Sequence, residues 1–136
     1  MFVSTRGRYA LRVMIDIAEN SNGNYISMKS VAERQSISLK YLERILPVLV
    51  ANELLTGVQG KGGGYKLTRE PKDYTVSEIL KLTEGDLAPV ACLECDAKIC
   101  EQRKDCRTFP LWNELNKRIT SYLDSVTLAD LMKKAV

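Results

Sequence analysis

A mainly α-helical chain with one small β-hairpin is what this sequence predicts, and three features predict it. Apolar residues recur at helical spacing through most of the chain. A glycine-rich run, Gly60-Lys61-Gly62-Gly63-Gly64, stands between two short β-like runs. All four cysteines, Cys92, Cys95, Cys100 and Cys106, fall in one loop-like stretch between helical segments.

In chain order, Ala10, Leu11, Met14, Ile17 and Ala18 predict a helix over 5–20 that ends in the turn formers Asn20-Ser-Asn-Gly-Asn24. Tyr25 and Ile26 read as a short strand. Ser27 is an N-cap for a second helix, 28 to about 35, with Val31 and Ala32 inward. After a tight turn at Ser36-Ile37, Ser38 caps a third helix over 39–52. Its expected inward residues are Leu39, Leu42, Ile45, Leu46 and Leu49. Pro47 lies inside it, lacks an amide hydrogen and is expected to kink or loosen it. Runs 55–59 and 65–68 flank the glycine tip as a hairpin. A fourth helix spans 75 to about 84, with Val76, Ile79, Leu80 and Leu82 apolar. Residues 85–107 are irregular. A longer helix follows over about 108–122, carrying Leu111, Trp112, Leu115, Ile119 and Tyr122 as an apolar stripe. Thr127 caps a last helix, 128–134.

Two short helices joined by a tight turn and followed by a β-hairpin make a winged helix-turn-helix. The predicted organisation is a DNA-binding unit over 1–84, a cysteine-bearing sensor loop over 85–107, and a long dimerisation helix with a C-terminal helix over 108–136. With 45% apolar residues in 136, the chain can bury a core without disulfide staples. The charged opening stretch reads as neither a signal peptide nor a membrane span. The expectation is a cytoplasmic protein that does not engage a membrane, in which clustered cysteines are ligands or sensors. Net charge is +3. Residues 1–69 hold ten basic and five acidic side chains and residues 70–136 hold ten and twelve, so the basic excess is N-terminal, where phosphates would be met.

The third helix would enter the major groove with its first turns. There Ser38, Lys40, Tyr41, Glu43 and Arg44 are candidates for DNA contact. Lys40 and Arg44 suit phosphates or guanine edges, and Glu43 suits a cytosine amino group while repelling phosphate. A solvated Arg/Glu/Lys face is the plain alternative for that segment alone. The hairpin tip weighs against it: glycines allow close backbone approach, and Lys61 suits the electronegative minor groove. A nucleotide loop would run into a helix, whereas this one returns into Tyr65-Lys-Leu. Thr5, Arg6, Arg8 and Tyr9 open the first helix, where amides and side chains could clamp a phosphate; Tyr9 could equally be core. No nucleophile–base pair is visible and the chain has no histidine, so it is not read as an enzyme.

The spacing Cys92-x2-Cys95-x4-Cys100-x5-Cys106 offers four thiolates. That number suits an iron–sulfur cluster or zinc, and the spacing does not separate them. A thiol–disulfide switch is the third reading, with Lys98, Arg103, Lys104 and Arg107 to favour a thiolate. A small electron-transfer or redox protein could also use four thiolates, but would not need a glycine wing or a segregated basic half.

The blocks Ser4-Thr-Arg-Gly-Arg-Tyr-Ala-Leu11, Ser38-Leu-Lys-Tyr-Leu-Glu43, Gly60-Lys-Gly-Gly-Gly-Tyr65 and Leu111-Trp112, in that order, resemble the IscR, NsrR and CymR type of bacterial winged-helix repressors. The resemblance implies a homodimer held by the long C-terminal helix and a roughly palindromic double-stranded operator. It implies DNA contacts from Thr5, Arg6, Tyr9, Ser38, Lys40, Tyr41 and Glu43, and from the wing residues Gln59, Gly60, Lys61, Gly62, Gly64 and Tyr65. Cluster-bearing members use three cysteines where Cys92, Cys100 and Cys106 lie, which implies an iron–sulfur cluster here, [2Fe-2S] by preference, and one that aerobic isolation can strip. Other members lack the cluster cysteines. This chain departs from the IscR branch in having Gln59 for an arginine, Lys61 for a proline and Phe109 for a histidine ligand. Cys95 is the natural replacement for that histidine; Asp96, Glu101 and Asp105 are oxygen alternatives.

Overall fold

Helix starts in this chain are set by hydroxyls. Ser4, Ser27, Ser38, Thr75 and Thr127 each accept a hydrogen bond from the backbone N–H three residues on. They begin α1 (Thr5–Asn20), α2 (Met28–Gln35), α3 (Leu39–Ala51), α4 (Val76–Glu84) and α6 (Leu128–Met132) in the computed structural model, which describes residues 3–133. Thr127 and Asp130 form a reciprocal capping box. Strands β1 (Leu55–Val58) and β2 (Gly64–Leu67), a 3₁₀ turn at Pro71–Asp73 and the long α5 (Phe109–Ser125) complete the main elements.

The turn between α2 and α3 is made by Ser36 in the left-handed region, at φ 54°, and Ile37 then drops into the core. Helix α3 runs through Pro47 without a break. Glu43, whose carbonyl loses its donor there, and Pro47 are both exposed, so water can take the orphaned group. Strands β1 and β2 pair antiparallel from Leu55↔Leu67 to Val58↔Gly64. The expected strand at Tyr25–Ile26 is a single bridge: Ile26 and Tyr65 exchange two backbone bonds of 2.8 Å. A second bridge, Thr75↔Thr127, ties the entry of α4 to the entry of α6.

The main core joins Ala10, Val13, Met14 and Ile17 of α1 to Val31 of α2, to Leu42, Ile45, Leu46 and Leu49 of α3, and to Leu54, Leu55, Tyr74, Ile79 and Leu128. A smaller one gathers Val76, Leu80, Leu87 and Val126. Asp16 is 2% exposed on the core side of α1. It is paired bidentately with Arg34 at 2.7–3.2 Å and accepts from Gln35 at 2.9 Å, which locks α1 to α2. The buried Tyr74 hydroxyl donates to the Leu54 carbonyl at 2.8 Å and accepts from the Thr68 and Arg69 amides at 2.9 and 3.0 Å. It thereby closes the base of the hairpin.

Leu39 corrects the sequence reading: it is 44% exposed. It occupies the first position after the Ser38 cap, beyond the end of the core that Leu42 begins to fill. Helix α5 extends to Ser125, past the expected 122, and α6 ends at Met132. The expected end at Lys134 lies outside the described residues. The 85–107 stretch contains one short 3₁₀ turn, Ala91–Leu93. Among the described residues no helix is long and apolar enough to cross a membrane.

Candidate functional site

Two sets of candidate DNA contacts, about thirty residues apart in sequence, meet at one place. The Tyr9 and Tyr41 rings pack edge to face with centroids 5.2 Å apart, which joins the first turns of α1 and α3. Both tyrosines are half-buried and pack against the main core, which leaves part of each ring on the surface. Around them Thr5, Arg6, Ser38, Lys40, Glu43 and Arg44 are exposed. Ser38, Lys40, Tyr41 and Arg44 border a notch of about 170 Å³ at the start of α3.

Sequence reasoning missed two residues here. The Arg12 guanidinium lies 5.2 Å from the Tyr9 ring centroid and donates to the Gln35 side chain at 3.2 Å and to its carbonyl, which supports the tyrosine pair from behind. Glu84, at the end of α4, accepts from the Ser4 N–H at 3.1 Å and from its hydroxyl at 2.5 Å. A carboxylate of the chain itself thus already sits at the start of α1, where a phosphate clamp was expected. Gly7 packs so closely under it that a Cβ there would collide with the Glu84 carboxylate. The bonds from Arg12 to Gln35 and from Ser4 to Glu84 have no signal in local sequence, because they join residues 23 and 80 apart in the chain.

The wing residues Gln59, Gly60, Lys61, Gly62, Gly64 and Tyr65 form a separate projection. Gln59, Gly60, Lys61 and Gly62 are exposed, with Lys61 at the tip, and Gly64 and Tyr65 are half-buried at its root. Gly60 and Gly62 turn the tip at φ 92° and 78°. Gly64 is required for a different reason: a Cβ there would collide with the Ile26 carbonyl oxygen in the bridge that fastens β2 to the rest of the fold. A groove of about 690 Å³ separates the wing from Pro47, Val50 and Ala51 of α3.

The cysteines divide three to one. Cys92, Cys100 and Cys106 line a single cavity of about 250 Å³ with Leu93, Ile99, Arg103 and Phe109. The cavity lies at the N-terminus of α5, and Arg103 stacks on the Phe109 ring at 4.3 Å. Cys95 is not among the lining residues. Its backbone N–H donates to Asp86 at 2.7 Å, and the carboxylate beside its thiol pushes the thiol up from its ordinary range. Asp86 also accepts from the Ala88 N–H at 2.8 Å, and the Cys95 and Ala88 amides together hold its carboxyl below the usual range. Cys106 is shifted the other way: Thr108, whose hydroxyl lies 3.4 Å from the sulfur, holds this thiol below its ordinary value. All four cysteines are free thiols; Cys92, Cys95 and Cys100 are exposed and Cys106 is partly covered. Among the described residues no three Cys, Asp or Glu side chains are arranged to hold a metal ion as they stand. Three soft thiols around one cavity are nevertheless the donor chemistry that a thiolate-held cluster takes.

Helix α5 has no buried residue. Leu111, Leu115 and Tyr122 are 58%, 38% and 58% exposed, and Trp112 and Ile119 are only half-covered.

Comparison with known proteins agrees with this geometry. The model of the Rrf2 family, described as iron-dependent transcriptional regulators, matches residues 3–134. The chain is 35% identical over 133 residues to the HTH-type transcriptional regulator IscR of Xenorhabdus nematophila, a match that covers 98% of this chain and 80% of that protein. Its fold is similar to that of CymR, the global cysteine regulator of B. subtilis, with a TM-score of 0.82, 34% identity and 98% of both chains covered. It is also similar to T. potens IscR, with a TM-score of 0.76, 38% identity, and 100% and 89% covered. These relatives are named as regulators of transcription, not as enzymes.

Proposed function

Because the chain belongs to the Rrf2 family of transcriptional regulators, we propose that it is a dimeric, repressor-type regulator whose grip on a pseudo-palindromic operator is controlled by an iron–sulfur cluster, [2Fe-2S], at Cys92, Cys95, Cys100 and Cys106. In this reading residues 1–84 bind DNA, 85–107 form the sensor loop, and 108–136 hold the dimer. The observation that carries it is the shared cavity of Cys92, Cys100 and Cys106 at the start of α5. A bound cluster supplies a redox-active group that is sensitive to iron and oxidants. The chain's own residues do the rest. Cys92, Cys100 and Cys106 would ligate it, and Cys95, on leaving Asp86, would stand in for the histidine ligand of the IscR branch, whose place in this chain is Phe109. Arg103 and Phe109 cover one wall.

The dimer is supported by α5, a seventeen-residue helix that leaves its apolar stripe uncovered by the chain's own fold. Its length and composition suit a two-fold contact with a second copy. Loop closure at the foot of α5 then alters how two α5 helices meet and how far apart two recognition helices stand. A cluster changes operator affinity only by favouring one such spacing over the other.

A second reading, a thiol–disulfide sensor, is favoured by the lowered Cys106 thiol and the exposure of Cys92 and Cys100 on the same cavity. Anaerobic purification followed by visible absorption, with iron and sulfide assay, decides between them. Brown protein with stoichiometric iron and sulfide supports the cluster. Colourless protein that gains a Cys106 disulfide and loses operator affinity under mild oxidant supports the switch. Cys92→Ser, Cys100→Ser and Cys106→Ser should each abolish the colour. An unchanged spectrum in Cys95→Ser would remove Cys95 from the ligand set.

A further inference from the structure

We propose that Leu39 reads the operator directly, by packing against the C5-methyl group of a thymine in the major groove. This rests on the DNA-binding reading above and adds a determinant to it. Leu39 is 44% exposed although every other leucine of α3 is buried. It takes no part in either core cluster.

Its neighbours on the helix say what it faces. Lys40 and Arg44 are four residues apart and share one exposed strip of α3, which is basic and suits phosphate. Leu39 and Glu43, also four apart, share the adjacent strip. That second strip has no hydrogen-bond donor and a negative charge, so it cannot hold phosphate. Its two side chains match the major-groove features of pyrimidines, the thymine methyl for Leu39 and the cytosine N4 amino group for Glu43. Leu39 also follows directly on Ser38, in the first turn of the recognition helix, the part of such a helix that reaches base edges.

The test uses a duplex enriched from a random-sequence pool by the full-length protein, with each thymine replaced in turn by deoxyuridine, which removes only the methyl group. At one thymine per half-site the replacement should weaken wild-type binding about fourfold, the worth of one buried methyl-sized group. Leu39→Ala should bind the thymine and uracil duplexes equally. The proposal is overturned if no thymine is sensitive, or if Leu39→Ala keeps the full methyl sensitivity. It is also overturned if Leu39→Ala shifts the sedimenting species from dimer to monomer, which would assign the side chain to a contact between copies. Enrichment of no duplex at all would bring down the DNA-binding reading itself. The wild-type arm needs no folded variant, so the proposal stays refutable even if Leu39→Ala is damaged, and Leu39→Val, which keeps an apolar but shorter side chain, should then show a reduced difference between the thymine and uracil duplexes.

Discussion

Replacing Tyr74 by phenylalanine isolates one oxygen atom. The ring keeps its buried place and its contact with the Arg69 guanidinium, 4.4 Å from the ring centroid. What is lost is the donor to the Leu54 carbonyl and the acceptor for the Thr68 and Arg69 amides. Thr68 and Arg69 are exposed, so water can replace the acceptor, whereas Leu54 is 1% exposed and its carbonyl is left with only the distant Thr68 hydroxyl at 3.4 Å. One buried acceptor stranded in this way costs about 1–3 kcal/mol, so we expect about 2 kcal/mol. For a domain of this length that is a fall of about 5–10 °C in Tm. Thermal unfolding by circular dichroism should show it, and urea titration should show a lower midpoint with an unchanged slope. Amides of 64–69 should exchange faster than in the wild type, because the bonds that close the hairpin base are gone. A Tm within about 1 °C of the wild type would refute the reasoning, since it would mean that the Leu54 carbonyl is solvated or re-paired.

Arg34→Ala strands the Asp16 carboxylate with Gln35 as its remaining side-chain partner. It should cost about 3 kcal/mol, the low end for a broken buried pair because Arg34 is itself 37% exposed; chemical denaturation with a loss under about 1 kcal/mol would show that water reaches Asp16. Lys61→Ala should weaken binding to all sequences alike and reduce the slope of log affinity against log salt by about one per protomer. An unchanged slope would place the wing tip away from phosphate. Leu115→Asp on the uncovered face of α5 should turn a dimer into a monomer at micromolar concentration by sedimentation velocity, without lowering helix content. A persistent dimer would move the interface elsewhere.

The parts of the fold that depend on neighbours in sequence were legible. Ser27, Ser38 and Thr127 announce helix starts because a cap bonds an amide three residues away. The glycine tip announces the hairpin because few other residues tolerate its backbone. Periodicity alone put Leu39 in the core. It counts an apolar residue at the first helical position like any other, whereas burial depends on where the neighbouring elements end. Asp16 reads as one acid in an amphipathic helix; only the fold brings Arg34 and Gln35 over it. The bonds from Tyr74 to Leu54 and from Ser4 to Glu84 escaped notice for the same reason, since they span 20 and 80 residues. In the 85–107 loop the four thiols were plain, but their three-to-one division depends on Asp86 holding the Cys95 amide, which spacing does not encode.

The bridge between Ile26 and Tyr65 bears on how a wing of this kind can diversify. A side chain at Gly64 would strike the Ile26 carbonyl, and one at Gly63 would strike that of Val58, so these two positions are closed to substitution by the packing of the backbone itself. Gln59 and Lys61 lie on the open side of the same loop. Exchanges there alter what the tip offers to a groove without disturbing the frame that presents it. The loop is therefore half fixed fitting and half replaceable bit: under the proposed wing contact, a lineage can retune its operator preference at 59 and 61 in single steps, each leaving a folded protein behind it.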